Sequence, residues 1–202
     1  MSILSGVSDF FGLDLGTSHI RLVQLGGGDK GRALMKYALT PIDSKISLSD
    51  AGSDQQKHMS ILKDLISEAG IVTKNVAVGI PSGRVFTTVV DMDRLPQNEL
   101  GKTISYQADA LIPTPLNESK IDWQVIGDSP VDKNKVEVLL SSVSNQFIEK
   151  RLDLLESIGL NVIAFEPDTF ALARAVTSEE VLTQQMIIDM GNVSTDIVIV
   201  MN

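Results

Sequence analysis

Apolar residues at every second position mark Phe11-Gly12-Leu13-Asp14-Leu15, and after a three-residue turn the apolar-rich run His19-Ile20-Arg21-Leu22-Val23-Gln24-Leu25 follows, which predicts a hairpin of two strands. The glycine-rich segment 26–31 predicts a turn, and 32–40 a third strand. Segment 41–50 reads as a polar connection. Ser53 with Gln56 then has the spacing of a capping box. Met59, Leu62, Leu65, Ile66 and Ala69 form the apolar stripe of the helix it opens, and Gly70 stops it. His58, near that helix start, is expected to face solvent. Segment 75–80 is a compact apolar run of the kind buried in an α/β sheet.

The texture changes at Pro81-Ser82-Gly83. Strand 84–90, helix 98–111 with Leu100, Ile104 and Ala108 on one face, strands 121–126 and 135–143 and helix 146–158 follow in order. Ser144 or Asn145 caps the last of these, with Phe147, Leu152, Leu155 and Ile158 expected inward and Gly159 as its stop. This β-α-β-β-α run predicts a small α+β insertion. Strand 160–165, helix 168–176 and a second hairpin from Met186 complete the pattern.

Composition narrows the partners. A net charge of −9 disfavours nucleic acid and direct contact with anionic lipid. The absence of cysteine excludes disulfides and thiolate metal sites, and two histidines do not make a His-rich centre. No apolar run approaches the ~20 residues that span a bilayer, and the start lacks the basic segment of a signal peptide. The expected compartment is the cytoplasm.

The candidate chemistry lies in the two hairpins. Asp14-Leu15-Gly16-Thr17-Ser18 and Asp189-Met190-Gly191-Asn192-Val193-Ser194-Thr195-Asp196 each follow an apolar strand with Asp-x-Gly and small hydroxyl residues, then a second strand. Glycine permits a tight turn whose backbone N–H groups can cradle phosphate, and a carboxylate suits Mg²⁺. One such turn is the mark of an ordinary hairpin. Two with the same flanks suggest a clamp on a polyphosphate. Glu166, at a strand end before Pro167, reads either as a group orienting water or as a helix-start residue favoured by the dipole. Gly101-Lys102-Thr103 imitates the end of a P-loop, but Pro96 stands where its first glycine belongs and the segment is helical. Trp123 reads as core or an interface anchor.

Asp14-x-Gly16-Thr17-Ser18, Glu166-Pro167 before an Ala-rich helix, and Asp189-x-Gly191 with Ser194-Thr195-Asp196 resemble the first phosphate, connecting and second phosphate motifs of the actin-like ATPases. The insertion is similar to the small subdomain (the SHS2 type) of the division protein FtsA. Residues 11–23, 110–116 and 157–175 resemble, more narrowly, the PilM family of type IV pilus assembly proteins. The resemblance implies an α/β, actin-like (ribonuclease H-like) half-domain, 1–83 with 164–185, an inserted α+β subdomain at 84–163, and the opening hairpin of a second half-domain at 186–202. It implies ATP and Mg²⁺ as ligands. Asp14, Gly16, Thr17, Ser18, Gly191, Ser194 and Thr195 would hold phosphates, Asp14 and Asp189 would meet Mg²⁺ through water, and Glu166 and Asp189 would be the catalytic residues. Arg21 falls where some relatives carry a basic residue near the phosphates, and reads equally as a solvated cross-strand charge.

The implied function is a cytoplasmic nucleotide-binding scaffold, recruited to the inner face of the membrane by partners. Its implied partner is the cytoplasmic N-terminal peptide of a PilN-like inner-membrane protein. A pilus motor ATPase and further copies of the chain are additional expected partners. An FtsA-like filament protein and a small-molecule kinase are the alternative readings. The chain ends at Asn202 without the family's Gly-rich adenosine motif. One wall of a nucleotide site, inactive alone, is therefore expected.

Overall fold

The computed structural model describes residues 9–27, 31–49, 51–177 and 183–200. Two units emerge: the chain as far as Ser82 together with the part from Leu152, and between them Gly83–Arg151.

In the first unit, β1 (Phe11–Leu15), β2 (His19–Gly26), β3 (Ala33–Pro41), β4 (Asn75–Ile80) and β8 (Asn161–Pro167) form a five-stranded sheet in the order β3-β2-β1-β4-β8. β1–β2 and β2–β3 are antiparallel, whereas β1–β4 and β4–β8 are parallel. Strict alternation gives the sheet one core face: Phe11, Leu13, Leu15, Ile20, Leu22, Val76 and Val78 are buried. Leu62 and Leu65 of α2 (Gly52–Glu68) pack into the same core, as do Leu154, Leu155 and Leu160. On the opposite face Val23, Leu25, Tyr37 and Leu39 are exposed, with Val23 directly across from Tyr37.

Several expectations need correcting. A short helix, α1 (Ser44–Ser47), interrupts the expected polar connection, capped by the Asp43 side chain. α2 starts at Gly52 after Ala51, without a side-chain cap, so Ser53 lies inside the helix and the capping box does not form. Asp54 serves the first turn instead: a hydrogen bond from the Ser49 side chain, then one from Lys57, hold its carboxyl below the usual value. His58 is buried, not solvated, because it extends the Leu62–Leu65 stripe one turn toward the N-terminus. The expected turn at 26–31 lies partly outside the described residues.

The second unit is an antiparallel sheet, β5 (Val85–Asp93), β7 (Lys135–Ser144) and β6 (Ser119–Asp128), in that order. α3 (Gln97–Leu111) packs Leu100 and Ile104 with Met92, Val136, Val138 and Leu140. The P-loop mimic sits within α3, where a Cβ on Gly101 would approach the Trp123 ring to 3.3 Å. Glycine there makes room for tryptophan at the core edge. α4 (Asn145–Ser157) begins in this unit, and Arg84 and Arg151 both stack on its Phe147, 5.7 and 5.5 Å from the ring centroid.

The inserted unit therefore closes at Arg151 rather than near residue 163. The last turns of α4 carry Leu154 and Leu155 into the five-stranded sheet's core, and β8 is that sheet's edge strand. The inward residues of α4 differ accordingly, since Ile148 and Leu154 are buried where Phe147 and Leu152 are only half-buried. α5 (Asp168–Val176) follows β8, and β9 (Gln185–Met190) with β10 (Thr195–Val200) forms a separate two-stranded sheet. Among the described residues no helix is long and apolar enough to cross a membrane.

Candidate functional site

Because Leu13 and Leu15 point into the core, Asp14 between them points out. Antiparallel register places Arg21 directly opposite, and its Nη1 donates to Asp14 Oδ2 at 2.9 Å. Arg21 is thus a cross-strand charge that also stands beside the first turn. Both side chains are more than half exposed, so the pair contributes little stability. The turn itself is tightly held. A Cβ on Gly16 would lie 2.5 Å from the His19 carbonyl oxygen. Ser47 Oγ donates to the Gly16 carbonyl at 2.9 Å, and the Ile42 N–H donates to the Ser18 carbonyl at 2.9 Å.

The second hairpin repeats this geometry. Gly191 donates its N–H to the Ser194 carbonyl at 2.9 Å, and a Cβ on Gly191 would lie 3.0 Å from that oxygen. In both turns, then, the glycine two residues after the aspartate meets the carbonyl three residues further on. The ladder sets Asp189 opposite Asp196. Asp189 is exposed and Asp196 is half-buried.

Leu13 pairs with Val78, and Val78 with Phe165, all toward the core. One residue further along, Asp14, Gly79 and Glu166 form a row on the other face. They occupy the carboxyl ends of the parallel strands, where open α/β sheets bind ligands. Glu166 is not a bare carboxylate: Arg174 of α5 forms an ion pair with it. That hydrogen bond to Glu166 raises the Arg174 pKa further.

Three further residues join the site: Ser82, Asp168 and Asp196. Burial pushes the Asp168 carboxyl up, and the charges of Asp196 and Asp14 add to the effect, against hydrogen bonds from the backbone N–H groups of Thr169 and Ser82. Ser82 Oγ donates to Asp196 Oδ1. Both Asp-x-Gly hairpins therefore come within electrostatic reach of the first residue of α5. Sequence reasoning took Asp168 as a helix-start residue and Ser82 as punctuation. The one available signal was Asp196, which hairpin register places opposite Asp189.

The carboxylates here suit Mg²⁺, and the hydroxyl, guanidinium and backbone N–H groups beside them suit phosphate. Among the described residues no three His, Cys, Asp or Glu side chains form a ready metal cage.

In fold, the chain is similar to the protein in the solved PilM–PilN type IV pilus biogenesis complex, with a TM-score of 0.80 at 21% identity, covering 94% of this chain and 57% of that one. It thus spans less than two thirds of that relative. It is also similar to the cytoplasmic domain of EpsL, an inner membrane component of the type II secretion system of Vibrio cholerae. There the TM-score is 0.53 at 13% identity, over 95% of this chain and 71% of the other. The architecture is the mixed α/β fold of the actin-like ATPases. The family model for type IV pilus assembly protein PilM matches residues 12–202, spanning both hairpins and the inserted unit, and the chain belongs to that family.

Proposed function

We propose that this chain acts as a cytoplasmic nucleotide-binding scaffold of type IV pilus assembly, engaging the cytoplasmic tail of a PilN-like inner-membrane protein. Two like Asp-x-Gly hairpins, in each of which the glycine closely approaches the carbonyl three residues on, carry the reading in a chain of this family. The Gly16–Ser18 and Gly191–Thr195 turns would hold phosphates. Asp14 and Asp189 would meet Mg²⁺ through water, and Glu166 would orient water once released from Arg174. Mg-ATP, held by these turns and aspartates, would bring polyphosphate charge and a divalent cation to the site. A ligand that binds one arrangement more tightly shifts the protein toward it, and the partner recognises that arrangement. The partner is proposed by likeness to the PilM–PilN complex.

Calorimetry on the full-length gene product tests this, with Mg-ATP and with a synthetic N-terminal peptide of the same organism's PilN-like protein. Asp14→Ala and Asp189→Ala should each weaken Mg-ATP binding at least tenfold, while Glu166→Gln should bind ATP and peptide normally. Wild-type affinity in both Asp variants would remove the site, and absence of peptide binding would remove the scaffold.

A further inference from the structure

Ser82 is the last residue of the sheet unit, and Gly83 opens the inserted one. β4 ends at Ile80, and Pro81 has no N–H, so the first amide that can donate after the strand is that of Ser82. It acts on the Asp168 carboxyl, helping to hold its pKa down, while the Ser82 hydroxyl donates to Asp196. One residue thereby links the exit of β4 to the second hairpin. The 3-10 turn Ser82–Arg84 needs no side-chain hydroxyl for its own backbone. A Cβ on the next residue, Gly83, would meet nothing within 4 Å.

We infer that Ser82 is a positioning residue that holds Asp196 of the second hairpin at the exit of β4 and thereby couples occupancy of the hairpin site to peptide binding. The inference rests on the nucleotide and peptide reading above. A hydrated cation arriving between the hairpins competes for the carboxylate lone pairs that Ser82 uses. When Asp196 turns toward the ligand, Ser82 loses that bond, and the chain leading into Gly83 shifts with it. Such coupling is a free energy shared by two ligands, so each must change the other's affinity by the same factor.

Fluorescence anisotropy of the labelled PilN-like peptide, with and without saturating Mg-ATP, measures that factor in the full-length gene product. The wild type should show a ratio of about fivefold or more. Ser82→Ala should bring the ratio to near one, and Ser82→Thr, which keeps the hydroxyl, should restore it. The ratio cancels any loss of binding to either ligand alone. In ligand-free protein, hydrogen exchange in β10 should quicken in Ser82→Ala while β1 and β2 stay protected. Ser82→Gly substitutes if Ser82→Ala folds poorly. A wild type that binds no Mg-ATP refutes the functional reading and the coupling with it. A wild type that binds both ligands without coupling, a ratio preserved in Ser82→Ala, or unchanged β10 exchange overturns the inference alone.

Discussion

Replacing Gly16 with alanine puts one methyl group against a backbone atom that cannot yield. The new Cβ would lie 2.5 Å from the His19 carbonyl oxygen, where ordinary contact begins at 3.4 Å. His19 opens β2 and is paired with Pro41 of β3, while Ser47 and Ile42 hold the turn from the other side. The strain cannot be relieved by a rotamer change, so it should cost about 1–3 kcal/mol, as overpacking does. Reduced freedom of the unfolded chain returns about 0.4–1 kcal/mol. At roughly 2–4 °C per kcal/mol for a chain of this size, the net loss lowers the melting temperature by several degrees. Two glycines calibrate the measurement. Gly191, with a 3.0 Å approach, should lose less on substitution by alanine, and Gly83, with nothing within 4 Å, should lose nothing. Circular-dichroism melts rank the three, and hydrogen exchange locates the damage in β1 and β2. If Gly16→Ala melts with Gly83→Ala, the turn is looser than described and its close approach does not constrain it.

Leu155→Ala removes a fully buried side chain that α4 contributes to the five-stranded sheet's core, and should cost about 2–5 kcal/mol in urea denaturation. Asp168→Asn tests the raised carboxyl. The folded state holds its proton more tightly than the unfolded chain, so stability from Asp168 is full below 3.8 and lost as pH rises through the raised value. The wild type should therefore be less stable relative to Asp168→Asn at pH 7 than at pH 3, and parallel melts with a constant difference would contradict it. Ile188 and Ile197 face each other on the exposed side of the β9–β10 sheet, so Ile188→Glu should reduce concentration-dependent light scattering if that face drives self-association.

Strands with one buried face were legible because alternation reports which side meets water: Leu13 in, Asp14 out, Leu15 in. The stripe of Leu100, Ile104 and Ala108 was legible for the same reason, since α3 serves a single core. α4 was misread at Phe147 and Leu152 but not at Leu155, because its ends belong to different units and no single stripe describes it. His58 was misread because residue type was weighed above its place one turn before Leu62. The paired Asp-x-Gly turns were visible as a repeat, and their close approaches agree at Gly16 and Gly191. The contacts among Ser82, Asp168 and Asp196 were not visible. They depend on β8 returning alongside β4 after a separate unit, and on β10 lying near α5, and local pattern carries neither.

Parallel pairing of β4 with β8 also sets an order of assembly. Asn75 must find Asn161, with the whole of Gly83–Arg151 between them. In the inserted unit β6 and β7 are an antiparallel pair adjacent in sequence, on which β5 adds within the same unit, so this sheet can form first. Once formed, it brings its own entrance and exit together, since Arg84 and Arg151 share the Phe147 ring. The loop separating β4 from β8 then shrinks about eightfold, three doublings that together lower the closure cost by roughly 1.8 kcal/mol. During synthesis, β1 to β4 leave the ribosome as an incomplete sheet with an open edge on β4. They wait there, exposed to chaperones and to neighbouring chains, until the middle of the protein has folded and delivered the missing strand.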